Sequence, residues 1–420
     1  MEANRNNKFE EIAMQKREGV IWNILSSLVT AASSVLLLMV IKRFVGIELG
    51  AYFSVAVAVA NVMINIGHLN SFGYQISDVV EKYSFKTYLS LRKFTICVML
   101  IVTLIYISFQ KYVFQKSLII FCYCVYRAVY AYADVYQGRY QQKGRVDLAA
   151  KLQFFKVLIP DVVLAFAVIF FQNLEIAISL STLTEILYLI IYNKKNQIFF
   201  EDNLSVNLYL CKDLFRQCLP LFFSAFTTTY ILNSSKYAID KLLTNDVQVY
   251  YSILLLPATT VHLIAGFVYR PFLTEYAEDW SLREYNRLKQ KIRRVFIVIL
   301  VGIIFIEVIS KKILLPFLKW LYVASELENY QWEFKIILLA GGINAIVIFL
   351  GFLITIMRMQ ENMLWIYSFT FIIALFLPQI LIKQYNFMGA AISFLVLSGV
   401  QFLMMTIVYL KGMYFNIRKI

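Results

Sequence analysis

Long apolar stretches follow one another through almost the whole of this 420-residue chain, separated by short polar gaps. A hydrocarbon core about 30 Å thick requires about 20 apolar residues as helix, and only helices or closed barrels satisfy their backbone polar groups in lipid. The pattern therefore predicts about twelve transmembrane helices. We place them at residues 19–41, 50–69, 94–109, 117–136, 153–171, 174–192, 218–235, 247–269, 295–310, 333–357, 362–382 and 388–410.

The basic residues fall in alternate gaps between these spans. With the N-terminus inside, the inner segments, among them 82–93 and 139–156, carry 28 lysines and arginines. The outer segments carry 10, and Arg127 and Lys335 fall within spans. Because cytoplasmic loops hold the excess of positive charge, the sequence predicts a multi-pass protein with both termini in the cytoplasm.

The bulk composition excludes several classes of function. The chain is 60% hydrophobic with a mean hydropathy of +0.68, far above the value for a soluble domain. Its net charge of +14 is better explained by loops that face anionic membrane lipids than by nucleic acid, which we do not expect as a partner. Five cysteines and two histidines form no metal-ligand pattern, so we expect no metal and no cofactor.

Motifs of catalysis are also missing from the sequence. We find no glycine-rich phosphate loop after a strand, no nucleophile elbow and no acidic pair in a defined pocket. The longest outer gap, about 311–332, leaves no room for the large external domain of many glycan-modifying membrane enzymes. The sequence therefore predicts that the protein is not an enzyme and does not hydrolyse ATP.

The chain repeats itself at an offset of about 198 residues. Residues 81–88 (EKYSFKTY) resemble 278–285 (EDWSLREY), and 51–60 (AYFSVAVAVA) resemble 249–258 (VYYSILLLPA). Six predicted spans separate the copies, so matched loops lie on the same face of the membrane. Parallel repeats of this kind are typical of alternating-access transporters. The repeat predicts an N-terminal six-helix bundle at 1–192, a cytoplasmic linker at 193–217 and a C-terminal bundle at 218–420.

Arg127 lies near the middle of the fourth span, where a charge is costly and usually faces a cavity or a partner. On a 3.6-residue period, Arg127 shares a face with Tyr130 and Asp134, and Gln137 and Gln141 extend that face inward. A guanidinium in this position can hold phosphate oxygens bidentately, while amides can bond sugar hydroxyls. The alternative is an ion pair between Arg127 and Asp134, or between helices, that only holds helices together.

Two further spans carry hydroxyl-rich stripes, and two carry buried acids. The stripe of the seventh span leads to Lys236 and Asp240, and the eighth span ends at Arg270. Such stripes line either a polar vestibule or a close helix contact. Asp161 in the fifth span and Glu185 in the sixth are candidates to carry a coupling H⁺ or Na⁺. Either acid could instead pair with a neighbour such as Arg127.

Several segments, in a specific order, resemble a known family. They are IKRFVGIELGAYFSVAVA (41–58), QISDVVEKYSFKTYLSLR (75–92), DVYQGRYQQKGRVDLA (134–149), SKYAIDKLLTND (235–246), the group Gly341, Gly342 and Asn344, and Met388-Gly389-Ala390. The chain thus resembles, over nearly its whole length, the polysaccharide-biosynthesis flippases. These are Wzx-type translocases of lipid-linked oligosaccharides in the multidrug/oligosaccharidyl-lipid/polysaccharide exporter superfamily.

The resemblance implies two six-helix bundles arranged in a V around a central cavity, in a bacterial plasma membrane. It implies an undecaprenyl-pyrophosphate-linked oligosaccharide as substrate, moved from the inner to the outer leaflet, and glycosyltransferases and a polymerase of the same pathway as partners. It also implies cationic cavity residues for the pyrophosphate. The residues at or near matching motifs are Arg43, Arg127, Arg139, Lys236 and Arg270.

Two other functions remain open at this stage. The first is an ion-coupled drug or metabolite antiporter of the same fold, although cationic drugs would favour an acidic cavity and Arg127 argues against one. The second is a membrane-embedded glycan polymerase or ligase, which would give transfer defects rather than accumulation of an intermediate on the inner leaflet.

Overall fold

The computed structural model describes residues 2–78, 81–200, 208–269, 276, 279–280, 282–357, 359 and 361–417. Within these ranges the chain is helical and contains no strand. The first helices are α1 (Glu2–Val45), α2 (Ile47–His68), α3 (Ser71–Ser77), α4 (Phe85–Gln110), α5 (Phe114–Gln142), α6 (Val146–Phe171) and α7 (Leu174–Lys195). They are followed by α8 (Leu208–Leu242), α9 (Asn245–Tyr269), α10 (Tyr285–Ile309), α11 (Leu315–Tyr322), α12 (Gln331–Ile356) and α13 (Glu361–Ile417).

The twelve predicted spans all lie on these helices, apart from single residues at some ends. Eight helical stretches of the described chain are long and apolar enough to cross a membrane, and the last of them, Glu361–Tyr414, contains two predicted spans. Many large apolar side chains point outward, for example Phe109 and Phe170, which are 81% and 76% exposed. The predicted class, an all-α polytopic membrane protein, is confirmed.

The two last predicted spans form two helical segments of α13 that meet at a kink at Asn386. This residue has φ 50° and ψ −129°, values outside the helical range. Three residues later, a Cβ atom on Gly389 would lie 2.2 Å from the carbonyl oxygen of Leu381. The change of direction therefore requires a residue without a side chain at position 389.

The chain forms two compact units, Met1–Phe226 and Thr227–Ile420, whose boundary falls inside α8. The start of α8 belongs to the first unit, where Leu214 and Cys218 pack in one apolar cluster with Tyr83. A 3₁₀ turn at Gln197–Phe200 lies within the stretch that the sequence assigns to a linker. The assignment of 193–217 as a cytoplasmic linker stays a prediction.

Helices pair in the same order inside each unit. In the first unit α2, α4 and α5 pack against one another, and in the second unit α9, α10 and α12 do so. Helices α2 and α9 begin at Ile47 and Asn245, 198 residues apart, as the repeat predicts. Helices α4 and α10 begin at Phe85 and Tyr285, 200 residues apart, so their repeated motifs sit differently relative to the helix start.

Candidate functional site

Helix α5 carries the predicted polar face through the interior of the first unit. Asp134 and Gln137 are buried on this face, whereas Arg127, Tyr130 and Gln141 are half-buried. Helix α5 packs against α2, α4, α6 and α7, so its polar side chains meet groups from several neighbouring helices. The structure thus places the predicted face in the middle of the bundle.

The carboxylate of Asp134 is shared by a lysine and a histidine. Its Oδ1 atom accepts a hydrogen bond from Lys156 Nζ of α6 at 2.6 Å, and its Oδ2 atom lies 2.8 Å from Nδ1 of His68 at the end of α2. Lys156 Nζ also lies 3.3 Å from the side-chain oxygen of Gln137. Removing one partner of a buried pair of this kind leaves an uncompensated charge and costs about 3–5 kcal/mol.

Tyr130 joins this group to Arg127. The Lys156 ammonium lies 3.8 Å from the centre of the Tyr130 ring, and the Arg127 guanidinium lies 4.5 Å from the same ring centre. The Tyr130 hydroxyl accepts a hydrogen bond from the amide of Gln153 at 2.7 Å. Cations are attracted to the face of an aromatic ring, so Tyr130 holds both basic groups close together. We call His68, Arg127, Tyr130, Asp134, Gln137 and Lys156 the α5 cluster.

Arg127 has no carboxylate partner among the described residues. Its Nε atom is buried without a hydrogen-bond partner, and no described ion pair includes this side chain. The ion pair between Arg127 and Asp134, which the sequence left open, is not formed, because Lys156 and His68 occupy the oxygens of Asp134. Arg127 therefore retains hydrogen-bond donors that a ligand could use.

A second arginine in this region has a structural role. Arg92 of α4 is 2% exposed and donates hydrogen bonds to the Gly67 carbonyl and the Ser71 hydroxyl, at 2.5 and 3.0 Å. The Thr95 hydroxyl donates to the same Gly67 carbonyl at 2.8 Å. These bonds satisfy a carbonyl at the end of α2, where helical partners run out. They also fix the position of the adjacent residue, His68.

The two candidate coupling acids lie on α6 and α7. Asp161 accepts a hydrogen bond from the Tyr126 hydroxyl at 3.5 Å through one oxygen, and its other oxygen is buried without a partner. Glu185 is fully buried, and neither of its oxygens has a hydrogen-bond partner in the described part of the chain. No ion pair with Arg127 is formed by either acid within that part. Their coupling role stays a prediction.

Arg139 belongs to a different group at the C-terminal end of α5. It forms an ion pair with Glu81 at 3.0 Å and donates to the Phe199 carbonyl at 3.0 Å. Lys143 also bonds Glu81. Burial opposes the ionisation of Glu81, but the hydrogen bonds from Lys143 and Arg139 prevail and hold its pKa below the ordinary value. Arg139 thus fastens the loop before α4 to the end of α5.

The remaining predicted residues are placed as follows. Arg43 lies in the last turn of α1 and is exposed. No described hydrogen bond or ion pair joins it to the α5 cluster. Lys236 and Asp240 lie one turn apart on α8 and are both half-buried. Arg270 lies outside the described residues.

The hydroxyl-rich stripes of α1 and α8 differ in their contacts. On α1, the Ser27 and Thr30 hydroxyls donate to carbonyls one turn earlier, at 2.9 and 2.7 Å. On α8, the Ser235 hydroxyl lies 2.9 Å from that of Ser393 on α13. The contact between Ser235 and Ser393 favours helix packing at that point of the α8 stripe, whereas Ser27 and Thr30 are exposed and bond only within their own helix.

Three members of the buried network escaped the sequence analysis. Arg92 and Lys156 were counted with the basic residues of the inner loops, and His68 fell at the end of a span. In the structure Lys156 lies ten residues inside α6, and its side chain is 1% exposed. Its spacing from Gln153 and Pro160 puts all three on one helical face, and that pattern was the available signal.

The arrangement is suited to binding an anion. Lys156 is neutralised by Asp134, whereas the charge of Arg127 faces an aromatic ring and no described carboxylate. A guanidinium in a region of low dielectric interacts strongly with phosphate oxygens. Within the described ranges, no group of histidine, cysteine and acidic side chains could hold a metal ion.

Comparison with known proteins supports the fold. No protein-family model matches the sequence, and no curated protein matches it. The structure is similar to that of a mutant of the Vibrio cholerae MATE transporter VcmN, with a TM-score of 0.64 and 12% identity over 96% of this chain and 97% of that one. It is also similar to the eukaryotic MATE transporter AtDTX14, with a TM-score of 0.62 and 13% identity over 95% of this chain and 96% of that one.

A third similar structure is a transporter of the MOP superfamily from Pyrococcus furiosus. Its TM-score is 0.58, with 11% identity over 95% of each chain. That structure is described as having a binding pocket of reverse polarity, which suggests a different function for it. At these identities the similarity shows that the chain shares the fold of these transporters along nearly its whole length.

Proposed function

We propose that the protein is a membrane transporter that flips an undecaprenyl-pyrophosphate-linked oligosaccharide from the inner to the outer leaflet. The observation that carries this proposal is the state of Arg127. This guanidinium lies inside a membrane helix, is held against the Tyr130 ring and has no acidic partner among the described residues. A charge in such a position usually marks a substrate pathway.

The chemistry of the neighbouring side chains suits an anionic headgroup that carries sugars. Arg127 would hold pyrophosphate oxygens, and the amides of Gln137 and Gln141 would bond sugar hydroxyls. Arg43, Lys236 and Arg270 would contribute positive charge along the path, with Asp240 beside Lys236. Asp134 would contribute by positioning Lys156. Arg139 would contribute positive charge at the inner rim once its ion pair with Glu81 opens.

The proposal includes a location and an energy source. The protein would lie in a bacterial plasma membrane with both termini in the cytoplasm, and act beside glycosyltransferases and a polymerase. Export would use the membrane potential or a coupled ion. Asp161 and Glu185 would bind that ion, H⁺ or Na⁺, because each has a buried oxygen without a described partner.

The second candidate is an ion-coupled drug or metabolite antiporter. The fold shared with MATE transporters and the two partly unpaired acids favour it. Such a protein would move a cationic dye across vesicles in cells that lack the glycan pathway. The flippase would not, because Arg127 repels a cation from the centre of the bundle.

The experiment that tests the flippase is the variant Arg127→Ala. We expect loss of glycan export and accumulation of the lipid-linked oligosaccharide on the inner leaflet, with a normal amount of protein in the membrane. Lys93→Ala, at an exposed position of α4, is the matched control and should export normally. Wild-type export by Arg127→Ala would remove this residue from the proposed site.

The double variant Arg127→Asp with Asp134→Arg tests the alternative of an ion pair. Because Asp134 is bound to Lys156 and His68, the exchange places an arginine beside two basic groups. We therefore expect no recovery of export. Recovery would favour a structural pair over a pyrophosphate ligand.

A further inference from the structure

The sharing of one carboxylate by His68 and Lys156 suggests a function for the histidine. Each oxygen of Asp134 faces one of the two basic groups, at 2.8 Å for His68 and 2.6 Å for Lys156. Imidazole is the side chain whose ordinary titration falls near physiological pH. Protonation of His68 would therefore change the charge that Asp134 experiences.

The charged groups around His68 determine how many cationic partners Asp134 has when the histidine is neutral or protonated. Arg92 of α4 and Arg127 of α5 act on His68 electrostatically, and Asp134 is the carboxylate in direct contact. Glu185 of α7 is the second acid whose charge acts on Lys156. With neutral His68, Lys156 is the only cation in contact with Asp134 among the described residues, and its departure would leave a buried carboxylate unpaired. With protonated His68, Asp134 would keep a cationic partner.

The two basic partners of Asp134 differ in their exposure. The side chain of His68 is 23% exposed, whereas that of Lys156 is 1% exposed. His68 is the last residue of α2, and Leu69 beyond it takes a left-handed conformation that ends the helix. Nδ1 faces Asp134, so Nε2 is the atom that can take up a proton. The histidine is thus the more accessible of the two basic groups.

We propose that protonation of His68 releases Lys156 from Asp134 to act as the second cation for the substrate diphosphate. Tyr130 already contacts both Lys156 and Arg127, so the released ammonium needs to move only across the face of this ring. The first phosphate is held by Arg127 and the second by Lys156. This inference rests on the proposed function and adds a proton-binding residue, together with the order in which the charges are exchanged.

The binding of a proton to His68 and the binding of a diphosphate affect each other reciprocally, and this has a measurable consequence. If a proton on His68 raises the affinity for a diphosphate, then bound diphosphate raises the affinity of His68 for a proton by the same factor. A coupling of about tenfold corresponds to a change of about one pH unit in the midpoint of the His68 titration. The coupling disappears for a ligand that needs one cation only, such as a prenyl monophosphate.

The chain allows a direct test because it contains two histidines, His68 and His262. Full-length protein with ¹³C-labelled histidine is titrated by NMR, alone and with farnesyl diphosphate or farnesyl monophosphate, and the His262→Gln variant assigns the signals. We expect the His68 midpoint to rise by about one pH unit with the diphosphate and by much less with the monophosphate. An unchanged midpoint in the presence of bound diphosphate overturns the inference.

Affinity measurements separate this inference from the proposed function. We expect His68→Gln to bind farnesyl diphosphate with the weaker affinity that the wild type shows at about pH 8, at every pH below that. His262→Gln should keep the pH dependence of the wild type. A pH dependence retained in His68→Gln contradicts the switch and leaves the flippase in place. Failure of the wild type to bind the diphosphate at any pH contradicts the flippase itself.

Discussion

At the scale of single residues, the unusual feature of this protein is that only one of two nearby cations is paired with a carboxylate among the described residues. Lys156 is buried and paired with Asp134, whereas Arg127 is half-buried and has no described carboxylate partner. Both lie against the aromatic ring of Tyr130. A purely structural network would neutralise both, because an unpaired charge in a membrane helix is costly. The imbalance is therefore the best local indication of a ligand.

The pair between Asp134 and Lys156 leads to a prediction about stability. Asp134→Asn removes the charge that neutralises a buried ammonium, so we expect the free energy of unfolding in detergent to fall by about 3 kcal/mol or more. Thermal unfolding of the purified variant measures this loss. Glu18→Gln breaks the ion pair with Lys151, whose side chains are 46% and 30% exposed, and should cost less than about 1 kcal/mol. Equal effects of the two variants would contradict the structural role of the buried pair.

The sequence predicted part of this site and missed the rest for a physical reason. Arg127 was found because a charge stands out in the middle of an apolar span. Lys156 was missed because it was counted with the basic residues of the inner segment 139–156, although it also lies near the start of the predicted span 153–171 and well inside α6. His68 was missed because its partner, Asp134, is 66 positions away in the chain. Charge patterns locate residues along the sequence and do not identify their partners across helices.

At the scale of helices, one glycine controls the change of direction in α13. A Cβ atom at Gly389 would overlap the backbone of Leu381, whereas a Cβ atom at Gly399 in the same helix would meet nothing within 4 Å. We expect Gly389→Ala to lower the free energy of unfolding by about 1–3 kcal/mol, because the backbone must shift. Gly399→Ala should be neutral or slightly stabilising. Thermal unfolding of both variants measures the contrast, and an equal stability of the two would contradict the close approach.

The start of α8 is fastened to the first unit by Asp213. This carboxylate accepts hydrogen bonds from the Tyr83 hydroxyl at 2.6 Å and from Lys82 Nζ at 3.0 Å. These bonds hold the pKa of Asp213 below its ordinary value. A lowered pKa means that the contact is fully present above the ordinary value of about 4 and is lost as the pH falls through the lowered one. On the alkaline side, burial raises the pKa of Tyr83 to about 12, so its proton is retained through about pH 10.

We therefore expect the backbone amides of 208–218 to stay protected from hydrogen exchange at pH values of about 5 to 9. Protection should fall below about pH 4 after correction for the intrinsic rate. Asp213→Asn should remove it at every pH, whereas Lys212→Gln, at the exposed neighbouring position, should not. Protection that persists in Asp213→Asn would show that the apolar contacts of Leu214 and Cys218 are sufficient.

The helix boundaries show that the apolar pattern predicts the spans but not the geometry of the connections between them. The predicted spans at 362–382 and 388–410 are correct as two helices, and the connection between them is a kink at Asn386 with no longer loop. The positive φ of Asn386 provides the turn within a single residue. The length of a hydrophobic stretch predicts how much chain crosses the bilayer. Hydropathy does not predict the geometry of the connection, which depends on the backbone conformation of a few residues.

At the scale of the whole molecule, the charge asymmetry and the repeat make one joint prediction about topology. A reporter fused in the turn at Gly144, between α5 and α6, should be cytoplasmic, and one fused at Lys111, between α4 and α5, should be outside. Paired fusions to alkaline phosphatase, which is active outside, and to a green fluorescent protein, which is fluorescent inside, measure both positions. The C-terminal fusion should behave like the one at Gly144, because an even number of spans separates them.

This orientation matters for the proposed mechanism, because it decides which side supplies the proton. The α2 helix ends at His68, and the polar face of α5 runs toward its C-terminal end at Gln142. In the predicted topology His68 is therefore nearer to the cytoplasm, and protonation there would accompany loading of the substrate from the inner leaflet. A phosphatase-active fusion at Gly144 would show that the protein has the opposite orientation in the membrane. His68 would then face outward, and the same proton switch would govern release of the substrate instead of its capture.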